Sequence, residues 1–133
     1  MKKIIETINS LPEITHISPA TVEQIKDAEQ QLNLRFSDEY KEYLSTFGAV
    51  LADGIEISGI AKSKHWNVIS LTQQERELNN NVGRNMYVIE NAAIDGIIIW
   101  QDENGLIYLT QYDSKPKQIA TSLVDYITNY LKK

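Results

Sequence analysis

Few side chains in this sequence are of a kind that does chemistry, and they are scattered. There are two histidines, His16 and His65, in separate predicted loops, and no cysteine. No H-x-x-x-H or similar spacing puts two imidazoles on one helix face, so no metal site is expected. The lack of cysteine removes thiolate ligands, a cysteine nucleophile and disulfides, and fits a reducing cytoplasm. Ser58 and Ser63 lie near His65, a pairing that could supply a hydroxyl nucleophile and a base, but no G-x-S-x-G elbow presents either serine. The six glycines are dispersed as turn residues and form no phosphate-binding loop. Asp102 and Glu103 are adjacent carboxylates, yet their place beside a turn accounts for them without catalysis. No EF-hand pattern is present. The expectation is a protein that is not an enzyme and needs no cofactor or metal.

The residues that could recognise a partner are more telling. The chain has 133 residues, 42% hydrophobic and 23% charged, with a net charge of −5. These values suit one globular domain over 1–133 and argue against a nucleic-acid binder. The charge is uneven. Residues 86–113 hold Glu90, Asp95, Asp102, Glu103 and Asp113 and no lysine or arginine, while the rest of the chain balances thirteen acids with thirteen bases. Turn and strand-end solubility explains such acids; so does a field aimed at a basic partner. Tyr108 and Tyr112 fall in the same region, and tyrosine suits interfaces. Trp66 follows a polar run (Lys62, Ser63, Lys64, His65) and is either an exposed anchor or a plug folded back on the body. The start, Met1 to Glu6, has too short an apolar stretch for a signal peptide, and no apolar run approaches the roughly 20 residues that span a bilayer.

The acids and tyrosines must be positioned by a hairpin. Asn104-Gly105 separates two β-rich runs, the strongest short-range hairpin signal, because a type I′ turn needs positive φ at both central residues. With those two as the loop, Gln101 pairs with Tyr108, Ile99 with Thr110 and Ile97 with Tyr112. Alternation then puts Ile98, Trp100, Ile107 and Leu109 on one face, expected to meet the helices. Gln101, Glu103, Tyr108 and Tyr112 share the other, expected to stay at least partly open to water. The predicted contact set is Glu90, Asp95, Gln101, Asp102, Glu103, Tyr108, Tyr112 and Asp113.

The other elements follow from periodicity and punctuation. Residues 2–11 carry Ile4, Ile5, Ile8 and Leu11 at helical spacing, limited by Pro12. Ser18-Pro19 predicts the start of a second helix, with Val22, Ile25, Ala28 and Leu32 as its stripe and Asn33 as its stop. Ser37 predicts the cap of a third, with Tyr40, Tyr43, Leu44 and Phe47 inward and Gly48 closing it. Asp53-Gly54 predicts a turn before a strand at 55–58. Asn67 to Leu71 fits a short strand or a helix entry, and 72–78 a helical excursion. Met86–Glu90 predicts a strand. Lys115-Pro116-Lys117 ends the sheet, and Ser122 caps a last helix with Leu123, Tyr126 and Ile127 inward and Lys132-Lys133 at its end. Helices, then antiparallel strands, then a closing helix make an α+β fold: an antiparallel sheet with a central hairpin, packed on one face by the helices.

This order resembles the SUKH superfamily of Smi/Knr-type immunity proteins. The stretch Leu34-Arg35-Phe36-Ser37-Asp38-Glu39-Tyr40-Lys41-Glu42-Tyr43-Leu44-Ser45-Thr46-Phe47-Gly48 carries the likeness. It continues through Asp53 to Gly59, through Gly96 to Trp100 with the Asn104-Gly105 turn, and through Ser122 to Ile127. Phe36 stands where many members have proline, and Ala49 where a second glycine is common. The resemblance implies a cytoplasmic protein that binds a cognate toxin domain, often a nuclease with a basic cleft, and blocks it by stoichiometric occlusion. It implies no membrane or nucleic-acid partner. A regulatory scaffold module using the same fold is the alternative it leaves open. The family has no shared catalytic residues to transfer.

Overall fold

A computed structural model describes residues 3–131; the expected Lys132-Lys133 ending, like Lys2 at the start, lies outside them. Helix α1 spans Lys3–Asn9 and buries Ile4 and Ile8. Strand β1 (Thr15–His16) follows, then α2 (Val22–Leu32) and α3 (Asp38–Phe47). Helix α2 does not start at Ser18-Pro19. It starts after Thr21, where a reciprocal cap forms: Gln24 N–H donates to Thr21 Oγ1 at 3.1 Å and Thr21 N–H donates to Gln24 Oε1 at 2.9 Å. Two satisfied donors outweigh one proline at the first position. Val22 therefore sits at the exposed start, while Ile25, Ala28 and Leu32 are buried. Asn33 ends the helix in the left-handed region. Helix α3 has the predicted Ser37 cap and Gly48 close, with Tyr40, Tyr43, Leu44 and Phe47 all buried.

Strands β2 (Val50–Ala52) and β3 (Ile55–Ile57) pair around Asp53-Gly54, and β1 joins them in a three-stranded sheet. Asn67 opens a helix, its Oδ1 accepting from the N–H groups of Ile69 and Ser70, so that α4 runs Val68–Leu78. The main sheet is antiparallel, β4 (Met86–Asn91), β5 (Ile97–Asp102), β6 (Ile107–Gln111) and β7 (Lys117–Ala120) in that order. Strand β7 was not expected: Lys115-Pro116 interrupts the sheet, but the chain re-enters it at the edge, where a proline before the strand costs no ladder bond. Helix α5 (Leu123–Asp125), capped by Ser122, continues as a π-helical segment, Tyr126–Leu131. Among the described residues no helix is long and apolar enough to cross a membrane.

The register of β5 with β6 differs by one residue from the expected one. Gln101 pairs with Ile107, Trp100 with Tyr108, Ile99 with Leu109 and Ile97 with Gln111. The loop is three residues, Glu103 to Gly105, and Asp102 decides it. Its Oδ1 accepts from the N–H groups of Asn104 (2.9 Å) and Leu106 (3.0 Å), an Asx turn that makes the two-residue turn the weaker choice. Gly105 takes φ +93° and absorbs the extra residue. A shift of one reverses the faces. Ile97, Ile99, Gln101, Ile107 and Leu109 now point at the main core with α1, α3 and α5, whereas Ile98, Trp100 and Tyr108 point the other way. There α4 supplies a second, smaller core: Leu71 packs with Met86, Val88 and Trp100. Both faces of the sheet are therefore covered, where one was expected to be open.

Gln101 lies fully buried on the main face, and every group of its amide is used. Its Oε1 accepts from Tyr87 Oη (2.8 Å) and Ser37 Oγ (3.2 Å). Its Nε2 donates to Glu39 Oε1 and to Gly105 O, both at 3.0 Å. Glu39 also accepts from the N–H groups of Leu123 (2.7 Å) and Val124 (3.0 Å), holding the start of α5. The expected outcome for Gln101→Leu is a loss on the order of 3 kcal/mol, since several buried polar groups are left unpaired together. Urea unfolding with an unchanged slope checks it, and a loss below about 1 kcal/mol would mean the network is not holding these elements.

Candidate partner-binding groove

Strand β5 is entered through a tight turn. Ala93, Asp95 and Gly96 all have positive φ (58°, 52° and 68°), with Ala93 N–H donating to Asn91 Oδ1. Across the ladder β6 ends at Gln111, and Tyr112 also turns left-handed (φ 55°), its N–H donating to Gly96 O at 2.9 Å. The ring of Tyr112 lies on Gly96: a Cβ there would come within 2.5 Å of it. Position 96 is thus glycine for two reasons, its φ and the ring above it. At the end of α4, buried Asn79 donates from Nδ2 to Ser114 O (2.8 Å) and Tyr112 O (3.3 Å), tying the 112–114 segment to the helix.

Helix α4 covers the Trp100 half of its sheet face and leaves the Ile98 end as the floor of a groove of about 500 Å³. Glu75 and Leu78 of α4 form one wall; the turn with Ile94 and Asp95 and the Tyr112-Asp113 pair form the other. Among the described residues, three of the six large apolar side chains that stand exposed border this groove: Leu78 (65%), Ile94 (62%) and Tyr112 (68%). So do three of the five described non-glycine residues with positive φ. Clustered exposed apolar surface and clustered backbone strain both mark binding sites. Glu75, Asp95 and Asp113 line it, and among the described residues no lysine or arginine does. Burial raises the Glu75 pKa, partly opposed by a hydrogen bond from Gln74.

Of the eight contact residues expected from the sequence, the groove brings together Asp95, Tyr112 and Asp113. Glu103 is exposed at the other end of β5, where its Oε2 accepts from Arg35 N–H at 3.1 Å. Tyr108 is half-buried against the Trp100 cluster and donates to Asp102 Oδ2 at 3.1 Å. Glu90, Gln101 and Asp102 are internal. The one-residue register shift turns Gln101 inward, and Asp102 is absorbed by its own turn. Glu90 is turned inward by an irregularity of β4 between Val88 and Glu90, and accepts from Tyr126 Oη (2.7 Å) and Glu56 N–H (3.1 Å). The acids of 86–113 therefore do not form one surface. Sequence reasoning missed Glu75, Leu78 and Ile94. A signal existed for two of them: Glu75 falls on the inward stripe of Val68, Leu71 and Thr72, and Ile94 is an apolar residue inside a turn.

The serine-histidine loop is not assembled as a site. Ser58 is buried, its Oγ donating to Val88 O at 2.6 Å, while His65 is exposed. Trp66 folds back as a plug, Nε1 donating to Ile57 O at 2.9 Å. Among the described residues no three His, Asp or Glu side chains gather as a metal site.

Two outcomes test this geometry. Gly96→Ala should cost about 1–2 kcal/mol and lift the Tyr112 ring from its seat, seen as lost ring-current shifts at residue 96 by NMR. Glu90 is pushed by burial above the usual carboxyl value of 4.5. The folded state then binds that proton more tightly than the unfolded chain, so the contribution is greatest below 4.5 and is lost as pH rises through the folded-state value. Glu90→Gln should remove that part of the decline in a pH series of unfolding midpoints.

A family model, SUKH_5, described as "SMI1-KNR4 cell-wall", matches residues 1–132 of the chain. No curated protein matches it.

Proposed function

Because the chain belongs to the SUKH family of SMI1-KNR4 proteins, we propose that it is an immunity-type protein that binds a toxin domain with a basic surface and blocks it without turnover. The observation that carries the reading is the groove beside Tyr112. It offers exposed apolar anchors, Leu78, Ile94 and Tyr112, inside a rim of carboxylates with no cation among the described residues. Aromatic and aliphatic anchors in a concave site supply affinity, and a one-sign rim supplies steering and selects a basic partner. A toxin that acts on nucleic acid presents such a basic surface where phosphates would lie, and a protein seated there excludes the substrate. The chemistry needs nothing from this chain but surface, which agrees with Ser58 and Trp66 being committed to internal hydrogen bonds. In this reading the protein acts in the cytoplasm of the cell that makes the toxin.

The test is affinity, measured against salt, for a candidate toxin domain taken from a neighbouring reading frame or a pull-down. Tyr112→Ala should weaken binding by about 2 kcal/mol. The pair Asp95→Asn and Asp113→Asn should slow association and flatten its salt dependence. Glu103→Gln, at the far end of β5, should change neither. Equal affinities for all variants would rule out this groove, and capture of a non-toxin partner through it would favour a regulatory scaffold instead.

A further inference from the structure

Glu75 is out of place for a stability role. It follows Val68, Leu71 and Thr72 on the inward stripe of α4 and is 8% exposed, yet it is a carboxylate. An apolar side chain there would continue the inward stripe and leave the groove without its inner carboxylate. Its only hydrogen bond among the described residues is a long one from its neighbour, Gln74 Nε2 to Oε2 at 3.3 Å, and none reaches Oε1. The next residue, Arg76, is not its counter-charge. That guanidinium turns away to the carbonyl oxygens of Leu32 (3.2 Å) and Arg84 (2.9 Å). The facing walls add Asp95 and Asp113, which deepen the negative potential. Burial of a carboxylate without a cation is costly unless a cation arrives.

We propose that the groove is a seat for one lysine or arginine side chain of the partner protein, with Glu75 as the carboxylate that recognises it. The aliphatic stem of such a residue lies along Ile98 and Leu78 and against the Tyr112 ring, and its cationic head reaches Glu75. Asp95 and Asp113 guide it in from the rim. A neutral apolar residue would fill the same space but leave Glu75 desolvated and unpaired, so the site discriminates by charge as well as shape. This rests on the groove being the docking face, and adds which single residue of the chain sets the partner's chemistry.

The experiment is an NMR titration of the full chain with N-acetyl-arginine amide and N-acetyl-lysine amide, with N-acetyl-norleucine amide as the neutral control. At least one cationic probe should shift the Glu75 carboxyl and Tyr112 ring signals to saturation, with affinity at least tenfold above the control. Glu75→Gln should abolish that preference. Glu75→Leu, which makes the inward stripe of the helix apolar and keeps the fold secure, should likewise abolish the preference for the cationic probes, whereas Glu103→Gln should leave binding of all three unchanged. Cation binding that survives Glu75→Gln, or probes that leave Glu75 unshifted, would overturn the proposal. With the toxin itself, sensitivity to Tyr112→Ala but not to Glu75→Gln defeats this inference alone. Insensitivity to both defeats the docking face as well.

Discussion

The amide of Gln101 is the point on which the structure turns. It lies in β5, an inner strand of the main sheet, and its hydrogen bonds join α3 and its cap, β4, the β5–β6 turn and, through Glu39, the start of α5. Around it the aromatic layer of Phe36, Tyr40, Tyr43 and Tyr87 is stacked, tilted or edge-on, with ring centres 4.8–5.4 Å apart. A buried amide tolerates only an arrangement in which each of its four hydrogen-bonding positions is met. That makes it a specifier of register as well as a source of stability: sliding β5 by one residue would put Trp100 among these hydroxyls and send the amide under α4.

The same register creates the groove. With Ile98 and Trp100 on the α4 face, the eleven-residue helix packs chiefly along β4 and reaches the six-residue β5 through the Leu71–Trp100 cluster. It covers the Trp100 end. At the Ile98 end the chain supplies a strained turn and a left-handed Tyr112 in place of a lid. Asn79 and Gly96 hold the two walls apart at a set width, one by hydrogen bonds to the backbone of 112–114 and the other by accepting an aromatic ring where a Cβ would stand. Rigid walls of this kind reduce the ordering cost of binding, which favours a preformed contact surface.

Charge is sorted by burial. Five acids looked like one acidic face along the chain, but two of them, Glu90 and Asp102, serve as internal hydrogen-bond acceptors. Glu90 joins β4 to β3 and to Tyr126, and so couples the two sheets to the last helix. The surface field comes from a smaller set, Asp95 and Asp113 with Glu75 behind them, concentrated in one concavity. Concave, low-dielectric walls focus a field more than the same charges spread on a plane.

Local chemistry made much of this legible from residues alone. Ser37, Gly48 and Asn33 mark helix ends by side-chain capping and left-handed backbone, effects that act over a few residues, and α3 with its four inward aromatic and aliphatic side chains follows directly. The α+β order and the acid-rich, tyrosine-bearing stretch were also readable; of the contact residues expected there, Asp95, Tyr112 and Asp113 lie together in one groove. What only the tertiary structure decided was which face of β5 looks inward. A period of two carries no information about sign, and the choice between a two-residue and a three-residue turn rested on whether the Asp102 carboxylate could be buried among Asn104, Leu106 and Tyr108. From that choice came the burial of Gln101, the cover by α4 and the joining of Glu75 and Leu78 to residues more than a dozen positions away in sequence, a proximity that no local pattern encodes.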